Sequence, residues 1–136
     1  MQVKYKTDSP NDTHGHELPV TEQMKEMPDF VLHTGDHVMD ALKTSKVKVT
    51  KQWEAWTEYF KNELTCPMYT CLGNHDVWGW GLEDNSVKND PMFGKTWAMS
   101  MLDLSNRYYS FENKGWKFIC LDSPYYLEEE HTYTQS

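Results

Sequence analysis

The residues with the most chemistry in them stand at two strand ends. The apolar run 67–72 stops at Gly73 and delivers Asn74, His75 and Asp76 in immediate succession. Upstream, Phe30-Val31-Leu32 runs into His33-Thr34-Gly35-Asp36-His37. A carboxylate such as Asp36 has two oxygens and can bridge two hard cations. Asn74 adds a neutral amide oxygen. His75 can ligate, or it can stand beside an ion as a proton donor or charge stabiliser. Asp76 is placed to orient an imidazole from behind. Asp12 and His14, one residue apart, form a further carboxylate–imidazole pair suited to holding a metal. Two ions about 4 Å apart can generate a hydroxide and clamp a transferring phosphoryl group. Each fragment also has a plainer reading: Gly-Asp after a strand is often only a turn, and Asn-His-Asp can be a polar loop. It is the shared placement at strand ends that points to one metal site. His16, His33, His37 and His131 read as surface or packing histidines, with His37 ambiguous because it adjoins Asp36.

The elements that must position these residues follow from patterning. Residues 29–34 and 68–72 are short apolar runs ending at turn signals, as buried strands do. Between them, Trp53, Trp56, Phe60 and Leu64 fall near helical spacing while Lys51, Glu54, Glu58 and Lys61 fill the opposite face. This predicts a helix over 51–64, capped by Thr50, after a solvated connector at 43–50. Strand, helix, strand implies a parallel pair with a right-handed crossover, and sites in open α/β sheets form at the carboxyl ends of strands. Asp36 and Asn74 should therefore be neighbours. Residues 38–42 suggest a helical turn and 97–104 a short helix. The stretch 77–94 is rich in Gly, Asn, Asp and Trp and reads as a loop over the site. Two alternating runs around Asn113-Lys114-Gly115 predict a hairpin. At the N-terminus, 1–19 reads as weakly ordered with a short strand around Val3 and Tyr5, and 21–27 as a helix ended by Pro28. From Tyr125 onward the chain reads as a polar tail.

Composition sets limits. The chain has 136 residues and a formal net charge of -8. That argues against a broad nucleic-acid footprint, which needs a basic face. It leaves a phosphate-ester substrate open, because bound metal ions reverse the local sign. Three cysteines, Cys66, Cys71 and Cys120, do not suggest a disulfide framework and read as buried free thiols. No apolar run is long enough to span a membrane, and no signal peptide is visible, so a cytoplasmic location is the default expectation.

Gly35-Asp36 at one strand end and Gly73-Asn74-His75-Asp76 at the next, joined through an amphipathic helix, resemble the calcineurin-like metallophosphoesterase family. Arg107-Tyr108-Tyr109-Ser110-Phe111 and Phe118-Ile119-Cys120-Leu121-Asp122-Ser123 resemble the hairpin that follows in many members. The resemblance implies an α/β fold, a partial metallophosphoesterase-like β-sandwich flanked by helices, here a βαβ unit plus a β-hairpin. It implies hydrolysis of a phosphate mono- or diester by hydroxide attack in line at phosphorus. It implies two divalent metal ions, of Mn, Fe, Zn or a similar kind. Asp36 would bridge them, Asn74 would ligate the second, and Asp12 and His14 would ligate the first. His75 would stabilise or protonate the leaving group, with Asp76 fixing its orientation. The chain departs from the family pattern downstream: the later lone His and the Gly-His-x-His are absent, and His131 is the only histidine after His75. The expectation is a single incomplete domain over 1–136, a truncated member with impaired or no activity alone. An open sheet edge near 118–122 would favour self-association. The alternative is a non-catalytic remnant that binds a metal or a partner, the latter through the Trp-rich loop at Trp78 and Trp80.

Overall fold

A computed structural model describes residues 28–127 and 132–135. The N-terminal strand and helix expected before Pro28, together with Asp12 and His14, lie outside the described residues.

Strand β1 (Val31–His33) pairs in parallel with β2 (Met68–Thr70), Leu32 opposite Tyr69, and helix α1 (Lys46–Tyr59) connects them. The expected βαβ unit is present. Both strands are shorter than their apolar runs, although Val31 N–H to Pro67 C=O (2.9 Å) and Cys71 N–H to His33 C=O (3.0 Å) extend the contact at either end.

Helix α1 begins a turn earlier than its tryptophans suggest. Its N-cap is Ser45, and Thr50 sits inside the helix with its hydroxyl donating to Lys46 C=O. The reason is Val49, which is fully buried and extends the apolar stripe backwards to Val49, Trp53, Trp56 and Phe60. The basic residues around it conceal this in the sequence. After Tyr59 the chain tightens into a single 3₁₀ turn, Lys61–Glu63. Residues 38–42 are not helical. Asp40 folds them as a turn, accepting from Leu42 N–H (2.9 Å) and the Thr44 hydroxyl, while Gln52 bonds both the N–H and the C=O of Asp40.

Helix α2 (Thr96–Met101) is followed by the hairpin of β3 (Tyr109–Asn113) and β4 (Trp116–Cys120). Its two-residue turn has positive φ at Lys114 (48°) and Gly115 (82°), which is the combination a tight primed turn needs. The stretch read as a polar tail holds a second hairpin, β5 (Pro124–Leu127) with β6 (Thr132–Gln135). Tyr125, Tyr126, Tyr133 and two threonines have strand propensity that their polar neighbours mask. Tyr126 and Tyr133 pack against Phe93 from the preceding loop. Among the described residues the strands form three two-stranded sheets, and no helix is long and apolar enough to cross a membrane.

The core joins α1 to the loops. Val49, Trp53 and Trp56 meet Val38, Ala41, Leu72, Trp78, Trp97, Ala98 and Leu102. Trp78 is therefore a core residue, its indole N–H donating to Thr44 C=O, and not an exposed docking side chain. A second layer is aromatic: Phe30, Tyr69, Phe111 and Phe118 pack against one another. At the far end Lys95 and Asp122 form a buried pair at 2.5 Å, with Arg107 at 3.3 Å, tying the start of α2 to the strand exit after β4. Burial pulls the Lys95 pKa down and Asp122 opposes that shift.

Trp53 is 1% exposed, stacks on the His37 ring and meets Trp56 in a T-shaped contact. Trp53→Ala should lower unfolding free energy by about 3–5 kcal/mol, read as a shift of the urea midpoint.

Candidate functional site

The site is built where the exits of β1 and β2 touch. After His33 the chain turns through Gly35 (φ 102°) and Asp36 (φ 56°), two successive left-handed residues. Glycine adopts this conformation freely, and aspartate is among the few other residues that tolerate it. Space adds a second demand. A Cβ on Gly35 would lie 2.6 Å from the backbone nitrogen of Gly73. Gly73 itself has an ordinary φ of -97°, so its requirement is purely steric: a Cβ there would collide with the Asp36 carboxylate. The two glycines let two backbones meet edge to edge.

Across that contact Asp36 Oδ1 accepts the N–H of His75 at 2.9 Å. Asp36 is exposed and Asn74 half-buried, so both offer oxygen toward solvent. The expected neighbourhood of Asp36 and Asn74 is present.

Asp76 does a different job from the one expected. It is 1% exposed and does not reach the His75 ring. Its Oδ2 accepts from Asp36 N–H (3.0 Å), Gly73 N–H (2.9 Å) and His37 Nδ1–H (2.9 Å). Its Oδ1 accepts from His37 N–H (2.8 Å) and Val38 N–H (3.4 Å). The cause is local geometry. Asn74–Asp76 is a 3₁₀ turn, in which successive side chains leave about 120° apart. Asp76 points inward, and a neighbour in sequence cannot be its partner. The His75 ring is held instead through Nδ1 by the carbonyl of Met39. A carbonyl only accepts, so Nδ1 carries the hydrogen and Nε2 is the nitrogen left for ligation or proton transfer.

Burial alone would raise the Asp76 carboxyl. The hydrogen bond and charge interaction with His37, and the N–H groups of Gly73 and His37, outweigh it and hold the group below its ordinary value. His37 is thus the residue that sequence reasoning undervalued. It is buried, with one ring nitrogen on Asp76 and the other 2.6 Å from Thr70 Oγ1, and its ring stacks on His33 at 4.0 Å. The adjacency of His37 to Asp36 was the only sequence signal for it. Burial, helped by His37, pushes His33 down to about 4, so at neutral pH its Nδ1 is an acceptor and takes the Gly35 N–H at 3.3 Å.

The donor set suits a hard cation in part. Asp36 and Asn74 supply two oxygens on adjacent loop ends, and the His75 N–H occupies only one of the carboxylate's several lone-pair positions. Among the described residues no group of three or more His, Cys, Asp or Glu side chains converges to hold an ion. Asp12 and His14 lie outside the described residues.

Because Asp76 is depressed in the folded state, its contribution to stability is complete above the ordinary carboxylate value of 3.8 and is lost as pH falls through the lower folded value. Asp76→Asn leaves His37 and four amides facing a weaker acceptor, and should cost about 3–5 kcal/mol near neutral pH. Chemical denaturation from pH 7 down to pH 2 should show the wild type losing its advantage only at the acid end. An equal gap between the two proteins at pH 7 and pH 2 would contradict this.

A family model described as calcineurin-like phosphoesterase matches residues 11–134, nearly the whole chain. No curated protein and no solved structure matches it. The matched span takes in both strand exits and, up to residue 134, the two hairpins that follow. The chain belongs to the calcineurin-like phosphoesterase family.

Proposed function

We propose that the chain is the phosphoesterase domain of a metal-dependent hydrolase acting on a phosphate mono- or diester. In this reading its three small sheets are parts of the family's sandwich. One observation carries the proposal: the exposed Asp36 carboxylate is set against the Asn74-His75 turn by the His75 N–H, with both loops tied to a single buried carboxylate. A plain polar turn has no need of that degree of fixation.

Asp36 and Asn74 would hold divalent ions, with Asp12 and His14 completing one side. When bound, such ions supply positive charge for the phosphoryl oxygens and a nucleophile at neutral pH. The chain's own residues do the rest. The His75 N–H fixes the rotamer of Asp36. The Met39 carbonyl fixes the His75 ring, so that Nε2 can give or share a proton with the leaving oxygen. Asp76 touches no reacting atom in this arrangement; it positions the two loops.

One observation favours a second reading, a non-catalytic remnant. Residues 76–136 hold a single imidazole, His131, so this stretch brings few nitrogen ligands to two ions. Such a remnant would bind one ion weakly, and the burial of Trp78 removes half of the loop first considered as its docking surface.

Hydrolysis of p-nitrophenyl phosphate and bis(p-nitrophenyl) phosphate, measured with added Mn or Zn, separates the two readings. The hydrolase reading expects turnover, impaired by the missing histidines, to depend on added metal. Asp36→Asn should abolish it, and His75→Ala should lower kcat by about 10²–10⁴-fold. Absence of turnover together with absence of stoichiometric metal by elemental analysis would leave the remnant reading standing.

A further inference from the structure

We propose that two copies of this chain join through the free edge of β4, antiparallel and about a two-fold axis at Ile119, into one continuous sheet. The register of the hairpin fixes which groups reach that edge. A two-residue turn is closed by Asn113 and Trp116 exchanging main-chain hydrogen bonds, and in an antiparallel ladder every second opposed pair does the same. Phe118 and Cys120 therefore bond inward to β3, while Lys117, Ile119 and Leu121 turn their N–H and C=O groups to the other side. Among the described residues no backbone group bonds to them there, and β4 pairs with β3 alone. The edge of β2 is protected by contrast: the Tyr109 hydroxyl accepts from Thr70 N–H at 2.7 Å and donates to Thr70 C=O at 3.0 Å. Among the described residues nothing comparable guards β4. The stretch Trp116-Lys117-Phe118-Ile119-Cys120-Leu121 has no proline and a single charge, the two usual protections of an edge strand.

The occupant is a second copy because this edge is complementary to itself. Ile119 and Leu121 are 67% and 68% exposed and share the outer face of the hairpin with Lys117. An axis at Ile119 opposes Ile119 to its own copy and Lys117 to Leu121 of the second copy, so isoleucine covers isoleucine and the lysine stem covers leucine. Each of the three edge residues in both chains then pairs its N–H and its C=O. Charge selects this register from its neighbours. The two Lys117 side chains stand four residues apart along the strands, about 14 Å, which exceeds the screening length of about 8 Å. Moving the axis to Phe118 halves that separation and sets like charges together. Moving it to Cys120 carries Lys117 onto Ser123 of the second copy, past the point where Asp122 is buried on Lys95 at 2.5 Å. Each Lys117 also has Glu112 of its own chain at 3.9 Å. Residues 107–121 set Arg107, Lys114 and Lys117 against Glu112 alone, so in a chain of net charge -8 two copies meet here with little acidic repulsion.

The test uses the intact chain and is independent of the hydrolase reading. Sedimentation velocity over a range of concentrations should show a reversible monomer–dimer equilibrium. Ile119→Lys places two ammonium groups on the axis and should raise the dimer dissociation constant by about tenfold or more. Its circular dichroism should match the wild type, because the side chain is exposed. Ile119→Val should keep the dimer. Crosslinking reads the register. Opposed Cα atoms that exchange hydrogen bonds lie about 5.5 Å apart, within disulfide range. On mild oxidation Ile119→Cys should therefore join two chains, and Lys117→Cys should not join its own copy, each judged against the wild type with its three cysteines. The proposal is overturned if the chain stays monomeric at every concentration, if Ile119→Lys dimerises as the wild type does, or if Lys117→Cys crosslinks in place of Ile119→Cys. Growth into open-ended aggregates overturns it too, since a two-fold contact closes on itself. The wild-type mass and the Ile119→Cys crosslink decide without the lysine variant.

Discussion

One buried carboxylate holds the site together. Asp76 receives backbone N–H groups from Asp36, His37, Val38 and Gly73, and the Nδ1–H of His37. Taking an ionised group out of water costs several kcal/mol, and removing one partner from such a network leaves an uncompensated charge. Bonds to a charged acceptor are also shorter and stronger than neutral ones. The network therefore tends to exist whole or not at all. Its geometric effect is to force the 34–38 turn and the 73–76 turn into a single unit. Asp36 cannot drift from Asn74 while both turns hang on the same oxygen atoms.

The network reaches the core through His37. Its far ring nitrogen meets Thr70 on β2, its ring stacks with His33 and Trp53, and it meets Trp56 in a T-shaped contact. Helix α1 thus supports the site by packing, although none of its side chains enters it. That support has a cost: the indole nitrogens of Trp53 and Trp56 are buried without a hydrogen-bond partner, each a penalty of about 1–3 kcal/mol. Burial of two large rings offsets it, since aromatic side chains bring 150–250 Å² each. The helix tolerates two orphan donors because the rings themselves define the floor under His37.

How far the sequence revealed this varies by element. The βαβ unit and the Asn113–Trp116 turn follow from periodicity and turn chemistry, because both are local signals. The start of α1 was hidden because a single buried valine, Val49, carries the extra turn among lysines. The second hairpin was hidden because its pairing is satisfied by tyrosine contacts with Phe93, a partner remote in sequence. At the site, Asp36 and Asn74 were legible from strand ends that stop at glycine. The role of Asp76 was not, since proximity in sequence suggested His75 as its partner and the 3₁₀ turn sends the two apart. Candidate ligands are announced by type. Residues that position them depend on which way a turn throws a side chain.

That division of labour also bears on charge. The chain is acidic overall, and the site presents Asp36 outward while Asp76 is already matched within the protein. An approaching phosphate ester would meet an exposed carboxylate and a net charge of -8. Like charges at close range repel, and burial behind low-dielectric walls would sharpen the repulsion. In the proposed reading a divalent cation on Asp36 and Asn74 would reverse the sign only where it sits, leaving the rest of the surface unfavourable to anions. Recognition of a phosphate ester by this surface would then be conditional on the ion. The buried Asp76 makes this workable, because it fixes the loops with a charge already matched by protein donors, and Asp36 is the carboxylate that would meet a metal in the proposed reading.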